Sequence, residues 1–259
     1  MKLASAARKP GAACSALGTA GLIALSRGHV DRACEHFDEA LRVSIDFDAS
    51  RATRSGGYVV LGRGRKGRIE EARVQYHATL TLLRELGPSE RTLNDERWLR
   101  TYMAEAAYLG GCPDEARAVL DAPCIVEAMA QLPLPGLLAR RWLGLAEVAT
   151  GDVSRGLSRL AEAPSVHSNA RVSAERVRFL AHLAVLYEAE VRIARELLDD
   201  DARGRALLAL EHLPTSAAEG AFLGPHLDRA RTLLRDRSTP ASALAGSLSA
   251  LIEACRSLE

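Results

Sequence analysis

The run Gly62-Arg63-Gly64-Arg65-Lys66-Gly67 has the most explicit chemical spacing in the chain. It matches G-x-G-x-x-G and follows the apolar stretch Tyr58-Val59-Val60-Leu61. A strand, a glycine loop and a helix in that order would hold a pyrophosphate on backbone N–H groups. No parallel-sheet pattern surrounds it, however, and Gly67 also fits as the turn glycine of a helical hairpin. Arg63, Arg65, Lys66 and Arg68 make the run basic, which suits either an anionic partner or a solvated turn.

Other chemistry is sparse. The histidines are His29, His36, His77, His167, His182, His212 and His226. None belongs to an H-E-x-x-H motif or to a Glu-x-x-His pair of the di-iron type. Cys34 and His36 are two apart, so a helix turns them to different sides. There is no G-x-S-x-G and no Gly-Lys-Ser/Thr loop. Glu188, Glu190 and Asp199-Asp200-Asp201 read as a solvated helix and its end. The spacing therefore implies no metal, no cofactor and no catalytic constellation, and the expectation is a non-catalytic protein.

Composition bounds the class. The chain has 259 residues, of which 47% are apolar and only 4% aromatic. That length exceeds one compact core, so two domains or a stacked array is expected. Alanine, leucine, arginine and glutamate dominate and favour helix, while β-branched residues do not alternate. An all-α class follows. The net charge of +1 and pI of about 7.7 argue against direct nucleic-acid or membrane-surface binding. Five cysteines, an odd count without Cys-x-x-Cys, suit buried free thiols in a reducing cytoplasm. No apolar stretch reaches the roughly 20 residues of a membrane span. The Gly-, Ala- and Ser-rich segment from Gly11 to Ser26 reads as a first helix rather than a signal peptide.

The positioning elements are helix pairs. In Leu17–Ile45, two apolar helical runs flank Ser26-Arg27-Gly28. Small residues at Gly21 and Ala33 would let the helices approach closely, with Phe37 filling the space beside them. The expected pairs are 13–26 with 29–45, 56–64 with 68–86, 92–109 with 113–121, and 136–150 with 152–163. Between them lie a polar connection over Asp46–Gly57 and a short helix over 124–131. Further helices are expected over 172–199, 202–212, 225–236 and 240–257. Pro164–Asn169 reads as a loop, and Pro214, Gly220 and Pro225 read as breaks. Ser89 caps a helix, but Thr92 stands where a capping box would want Glu or Gln.

The turns repeat. Gly28-His-Val-Asp-Arg-Ala33 aligns with Gly67-Arg-Ile-Glu-Glu-Ala72, Gly111-Cys-Pro-Asp-Glu-Ala116 and Gly151-Asp-Val-Ser-Arg-Gly156. Four residues further on stand Phe37, Tyr76, Leu120 and Leu160. The glycines are spaced by 39, 44 and 40 residues, a period near that of helical-pair solenoids.

These residues resemble the tetratricopeptide (TPR) family. Gly21, Gly28, Ala33, Phe37 and Ala40 match its pattern in the first repeat, and Gly67, Ala72 and Tyr76 in the second. Ala104, Ala107, Gly111 and Ala116 match in the third, and Leu143, Gly144, Gly151 and Ala163 in the fourth. The period exceeds the family's 34 residues or so, and Ile45 stands where a closing proline is common. The looser spacing resembles the helical-repeat sensor regions of maltose-regulator-type bacterial transcriptional activators. The ATPase and DNA-binding parts of those proteins have no counterpart among these motifs.

The resemblance implies a right-handed α-solenoid of antiparallel helix pairs. Residues 1–12 would be a flexible start, 13–212 the TPR-like repeats and 213–259 a helical cap. It places a partner-binding concave groove at Arg54, Arg65, Trp98, Thr101, Glu105, Tyr108, Leu138 and Arg141. Aromatic and arginine anchors there would suit a protein or peptide, as in a regulator's sensor or scaffold arm. The alternative packs Trp98 and Trp142 between repeats. A small-molecule effector held in the groove is the second functional class, and an enzyme on a helical scaffold the third. The lysine and asparagine of a carboxylate clamp are missing, so chaperone-tail binding is not implied.

Overall fold

Four glycines, each two residues past the last helical residue, set the chain's architecture. Gly28, Gly67, Gly111 and Gly151 have φ of 74°, 75°, 77° and 101°, a region that side chains with a β-carbon avoid. Each glycine N–H bonds the carbonyl three residues back, and the next N–H reaches five back. Gly28 thus bonds Leu25 at 2.9 Å, and His29 bonds Ala24 at 2.9 Å. This double bond pattern closes a helix and reverses the chain. A fifth turn has the same bonds from Glu196 to Ile193 and from Leu197 to Arg192, with Glu196 itself at φ 58°.

The computed structural model describes residues 10–131, 133–162, 174–213 and 217–256. All regular structure among them is helical, with no strand, which establishes the all-α class. The expected loop at Pro164–Asn169, the break at Pro214 and residues 1–9 lie outside the described residues. The chain divides into two compact units, residues 1–130 and 131–259. That division falls inside the expected run of repeats rather than at 212/213.

The first unit contains α1 (Pro10–Ser26), α2 (Val30–Phe47), α3 (Ala49–Arg65), α4 (Ile69–Leu86), α5 (Glu90–Leu109), α6 (Pro113–Leu120) and α7 (Pro123–Gln131). Three successive hairpins form: α1 with α2, α3 with α4, and α5 with α6. Ala33, Ala72 and Ala116, five residues after the turn glycines, are fully buried, as are Phe37 and Leu120. Gly21 is buried, and a β-carbon there would overlap the Phe37 ring. At Gly62 a β-carbon would press on the same ring and on the Cys34 thiol. Small residues thus set the helix spacing, and one phenyl ring fills it.

The first helices of successive hairpins lie parallel, about one repeat apart in sequence. Gly18 faces Tyr58, Thr53 faces Asp95, and Gly64 faces Ala106. The second helices share this offset, since Arg73 Nη2 donates to Glu115 at 2.6 Å. A sequence period near 40 is therefore also a packing period.

Three sequence expectations need correction here. Asp46–Gly57 is not a connection. Asp48 caps α3 by accepting the Ser50 N–H, so the helix begins at Ala49 and Gly56 and Gly57 lie within it, buried. The capping box at Ser89 is complete: Ser89 Oγ accepts the Thr92 N–H at 3.1 Å, and Thr92 Oγ1 accepts the Ser89 N–H at 2.8 Å. A threonine oxygen accepts as a glutamate oxygen would. Residues 10–12 are already helical.

The second unit contains α8 (Pro133–Ala149), α9 (Val153–Glu162), α10 (Ala174–Ala194), α11 (Asp200–His212), α12 (Ala217–Arg235) and α13 (Ala241–Arg256). α8 pairs with α9, α10 with α11, and α12 with α13, which also lies against α10. Gly144 and Gly156 meet so closely that a β-carbon on Gly156 would strike the Gly144 carbonyl. Buried Glu147 bonds Arg159 at 2.8 Å and Arg155 at 3.1 Å, and buried Glu188 bonds Arg205 at 2.6 Å and Arg192 at 2.8 Å. Gly220 and Pro225 do not break the chain; both lie inside α12. Packing on a neighbouring helix outweighs their local preference.

Candidate functional site

The glycine-rich run is not a phosphate loop. Gly62 and Gly64 sit within α3, and their missing side chains serve packing: a β-carbon at Gly64 would meet Ala106 of α5. The basic cluster around them is neutralised by carboxylates. Arg63 bonds Asp38 at 2.9 Å and Glu71 at 3.2 Å. Arg65 pairs with Glu105, Lys66 with Asp31, and Arg68 with Glu71. No excess positive charge is left for an anionic partner.

The first unit instead holds an aromatic row on the side of α3 and α5. Tyr58 stacks on Phe37 with ring centroids 5.4 Å apart and lies 6.3 Å from Tyr102. Tyr102 lies 5.5 Å from Trp98. Helical geometry explains the pairing, since positions 98 and 102 are one turn apart and share a face. Tyr58 and Tyr102 occupy equivalent places in neighbouring hairpins.

Beside this row is a hollow of about 240 Å³, lined by Leu22, Thr53, Arg54, Gly57, Tyr58, Asp95, Trp98 and Tyr102. Gly57 lies against the Tyr102 ring. Asp95 is buried and both of its oxygens are engaged. Its Oδ1 accepts Arg54 Nε at 3.1 Å and Nη2 at 2.8 Å, and its Oδ2 accepts the Thr53 hydroxyl at 2.8 Å. Arg54 is half exposed. Burial opposes its charge, but Asp95 outweighs this and the guanidinium is held above its ordinary value. Burial also raises the Tyr58 phenol, with Arg54 opposing, and raises that of Tyr102 well above the usual range. Among the described residues neither phenol hydroxyl has a hydrogen-bond partner.

Of the eight expected groove residues, Arg54 and Trp98 line this hollow. Thr101 does not: it is fully buried and its hydroxyl donates to the Arg97 carbonyl at 2.8 Å. Glu105 is buried in its pair with Arg65. Tyr108 is half-buried and not part of the hollow. Leu138 and Arg141 belong to the second unit. Leu138 is half-buried. Arg141 is buried, its guanidinium 4.9 Å from the Trp142 ring centroid and 5.5 Å from that of Tyr187. Thr101, Glu105 and Arg141 are therefore interior residues, not groove contacts. One helix position is a rotation of about 100°, so choosing Thr101 in place of Tyr102 turns from the hollow into the core. The missed residues were Leu22, Thr53, Gly57, Tyr58, Asp95 and Tyr102. Their signal was the spacing of 44 between Tyr58 and Tyr102, a repeat apart.

A larger, open hollow of about 500 Å³ lies at the α4–α5 turn, between Leu80, Leu83, Arg84, Thr92, Leu93 and Glu96. Thr92 is spent on the helix cap, and Glu96 on Arg100 at 2.7 Å.

Comparison with family models, curated proteins and solved structures gives no match. The chemistry of the hollow thus rests on its own side chains. Of the cysteines, Cys14, Cys34 and Cys255 are buried, whereas Cys112 and Cys124 are half-buried, and none of the five forms a disulfide. Among the described residues no three His, Cys, Asp or Glu side chains are grouped as metal ligands. Among the described residues no helix is long and apolar enough to cross a membrane.

Proposed function

We propose that the first unit is a TPR-like, right-handed helical-repeat module that binds a protein or peptide segment, as in the sensor or scaffold arm of a regulatory system. The hairpins, their left-handed turn glycines and their parallel offset near 40 residues support the repeat reading. The observation that carries the binding reading is the aromatic row with a half-exposed arginine beside an unfilled hollow. Aromatic and arginine side chains dominate the energetics of protein interfaces. The hollow's volume of about 240 Å³ lies below the roughly 300–1,000 Å³ of small-molecule sites. It suits one anchoring side chain better than a whole effector.

Affinity capture with the full chain and with Trp98→Ala, run in parallel, tests this. A reproducible partner is expected on the wild type and absent from the variant, with helical circular dichroism unchanged. Equal capture by both would refute the assignment.

A further inference from the structure

We infer that the hollow beside α3 and α5 takes an internal peptide segment, presenting an apolar side chain next to an uncharged main-chain carbonyl, and discriminates against a free carboxylate. This deepens the peptide-binding reading and rests on it.

The first support is the hydrogen-bond inventory. Both Asp95 oxygens already accept, one from Arg54 twice and one from Thr53. The Asp95 side chain is only 1% exposed, so a ligand cannot reach its remaining lone pairs. A guanidinium has five N–H donors. Arg54 spends two on Asp95, leaving three on a side chain that is 50% exposed. The Tyr58 and Tyr102 hydroxyls add two unpartnered donors, and burial keeps both phenols protonated. The lining is therefore rich in donors, and its carboxylate is engaged and out of reach. Its complement is a group that accepts.

Charge decides which acceptor. Arg54 and Asp95 cancel, and the other lining residues, Leu22, Thr53, Gly57, Tyr58, Trp98 and Tyr102, are neutral. Nearby Arg65 and Glu105 also cancel. Arg91 of α5 donates to the Ser50 carbonyl and does not line the hollow. A carboxylate brought here would lose hydration beside Asp95 with no surplus cation to offset that cost. A main-chain carbonyl is a good neutral acceptor that carries no such charge penalty. The aromatic walls meanwhile favour an apolar side chain, which stacks on them and is removed from water.

The test is a titration of the full chain with N-acetyl-leucinamide and, separately, with N-acetyl-leucine. The Trp98 indole N–H is followed by NMR and assigned with Trp98→Phe. The amide should move that signal saturably, with an affinity unchanged by added salt. The free acid should bind about three- to tenfold more weakly, and Tyr102→Phe should weaken the amide by a similar factor, the worth of one hydrogen bond. The Trp142 indole, in the second unit, should stay fixed, which separates binding at the hollow from a non-specific effect of the probe. Equal or tighter binding of the acid, weakened by salt, would overturn the carbonyl preference while leaving the hollow a ligand site. If neither probe moves Trp98 saturably, this inference and the peptide-binding reading both fail.

Discussion

Gly21→Ala is expected to reverse the sign of its effect on stability according to what stands at position 37. Phe37 is fully buried, stacked on Tyr58 at 5.4 Å, with Gly21 and Gly62 against its ring. Removing the ring leaves a void walled by three helices, and Phe37→Ala should cost roughly 3–5 kcal/mol. Gly21→Ala in the wild-type background improves helix propensity by about 1 kcal/mol. It also drives a methyl into the phenyl ring, and such overpacking costs about 1–3 kcal/mol. The net effect is a loss. In the Phe37→Ala background the obstacle is gone, the methyl fills part of the void, and the same substitution stabilises by about 1 kcal/mol. Equilibrium urea unfolding of the four proteins measures the coupling, and hydrogen exchange locates it in α1–α3. A Phe37→Ala cost below about 2 kcal/mol, or the same sign for Gly21→Ala in both backgrounds, would refute the packing described here.

Glu196 occupies the left-handed turn position that glycine fills at four other turns. Glu196→Gly should therefore raise stability by about 1 kcal/mol, as relief of strain exceeds the entropy added to the unfolded chain; thermal denaturation reads this, and an unchanged or lower midpoint contradicts it. Burial raises the Tyr58 and Tyr102 phenols in the folded chain. A raised folded value means that their contribution is fully present below the ordinary phenol value of about 10 and is lost as pH rises above it. Replacing both with phenylalanine should flatten the alkaline fall in stability, and an identical alkaline limb would count against their burial.

Much of the fold was legible because it is set by local, repeated features. A turn glycine followed five residues later by a small side chain marks each of four helix reversals, and the structure places all four glycines at positive φ. The start of α3 was not legible. Ser50, Thr53, Ser55, Gly56 and Gly57 look like a loop in isolation, yet Thr53, Ser55, Gly56 and Gly57 are buried helical contacts. Thr53 bonds Asp95, 42 positions away, a partner that local sequence does not announce. Pro225 misleads in the same way, since α12 runs through it. Little of the hollow's lining was legible. Arg54 and Trp98 emerged from the family resemblance, but Thr101, Glu105 and Arg141 are turned into the interior. Amphipathicity indicates the buried face of a helix poorly when, as in α5, most positions are at least partly covered. Tyr58 was hidden for a related reason: Tyr58-Val-Val-Leu61 before a glycine run imitates a strand.

Site-specific photo-cross-linking of the captured partner tests most directly that the aromatic face is where it sits. A photoreactive residue is placed at Trp98 in one protein and at Val74, which is 72% exposed on α4, in another. The account predicts a cross-linked product from position 98 and none from position 74. A product from position 74 alone, or equal yields from both, would contradict it.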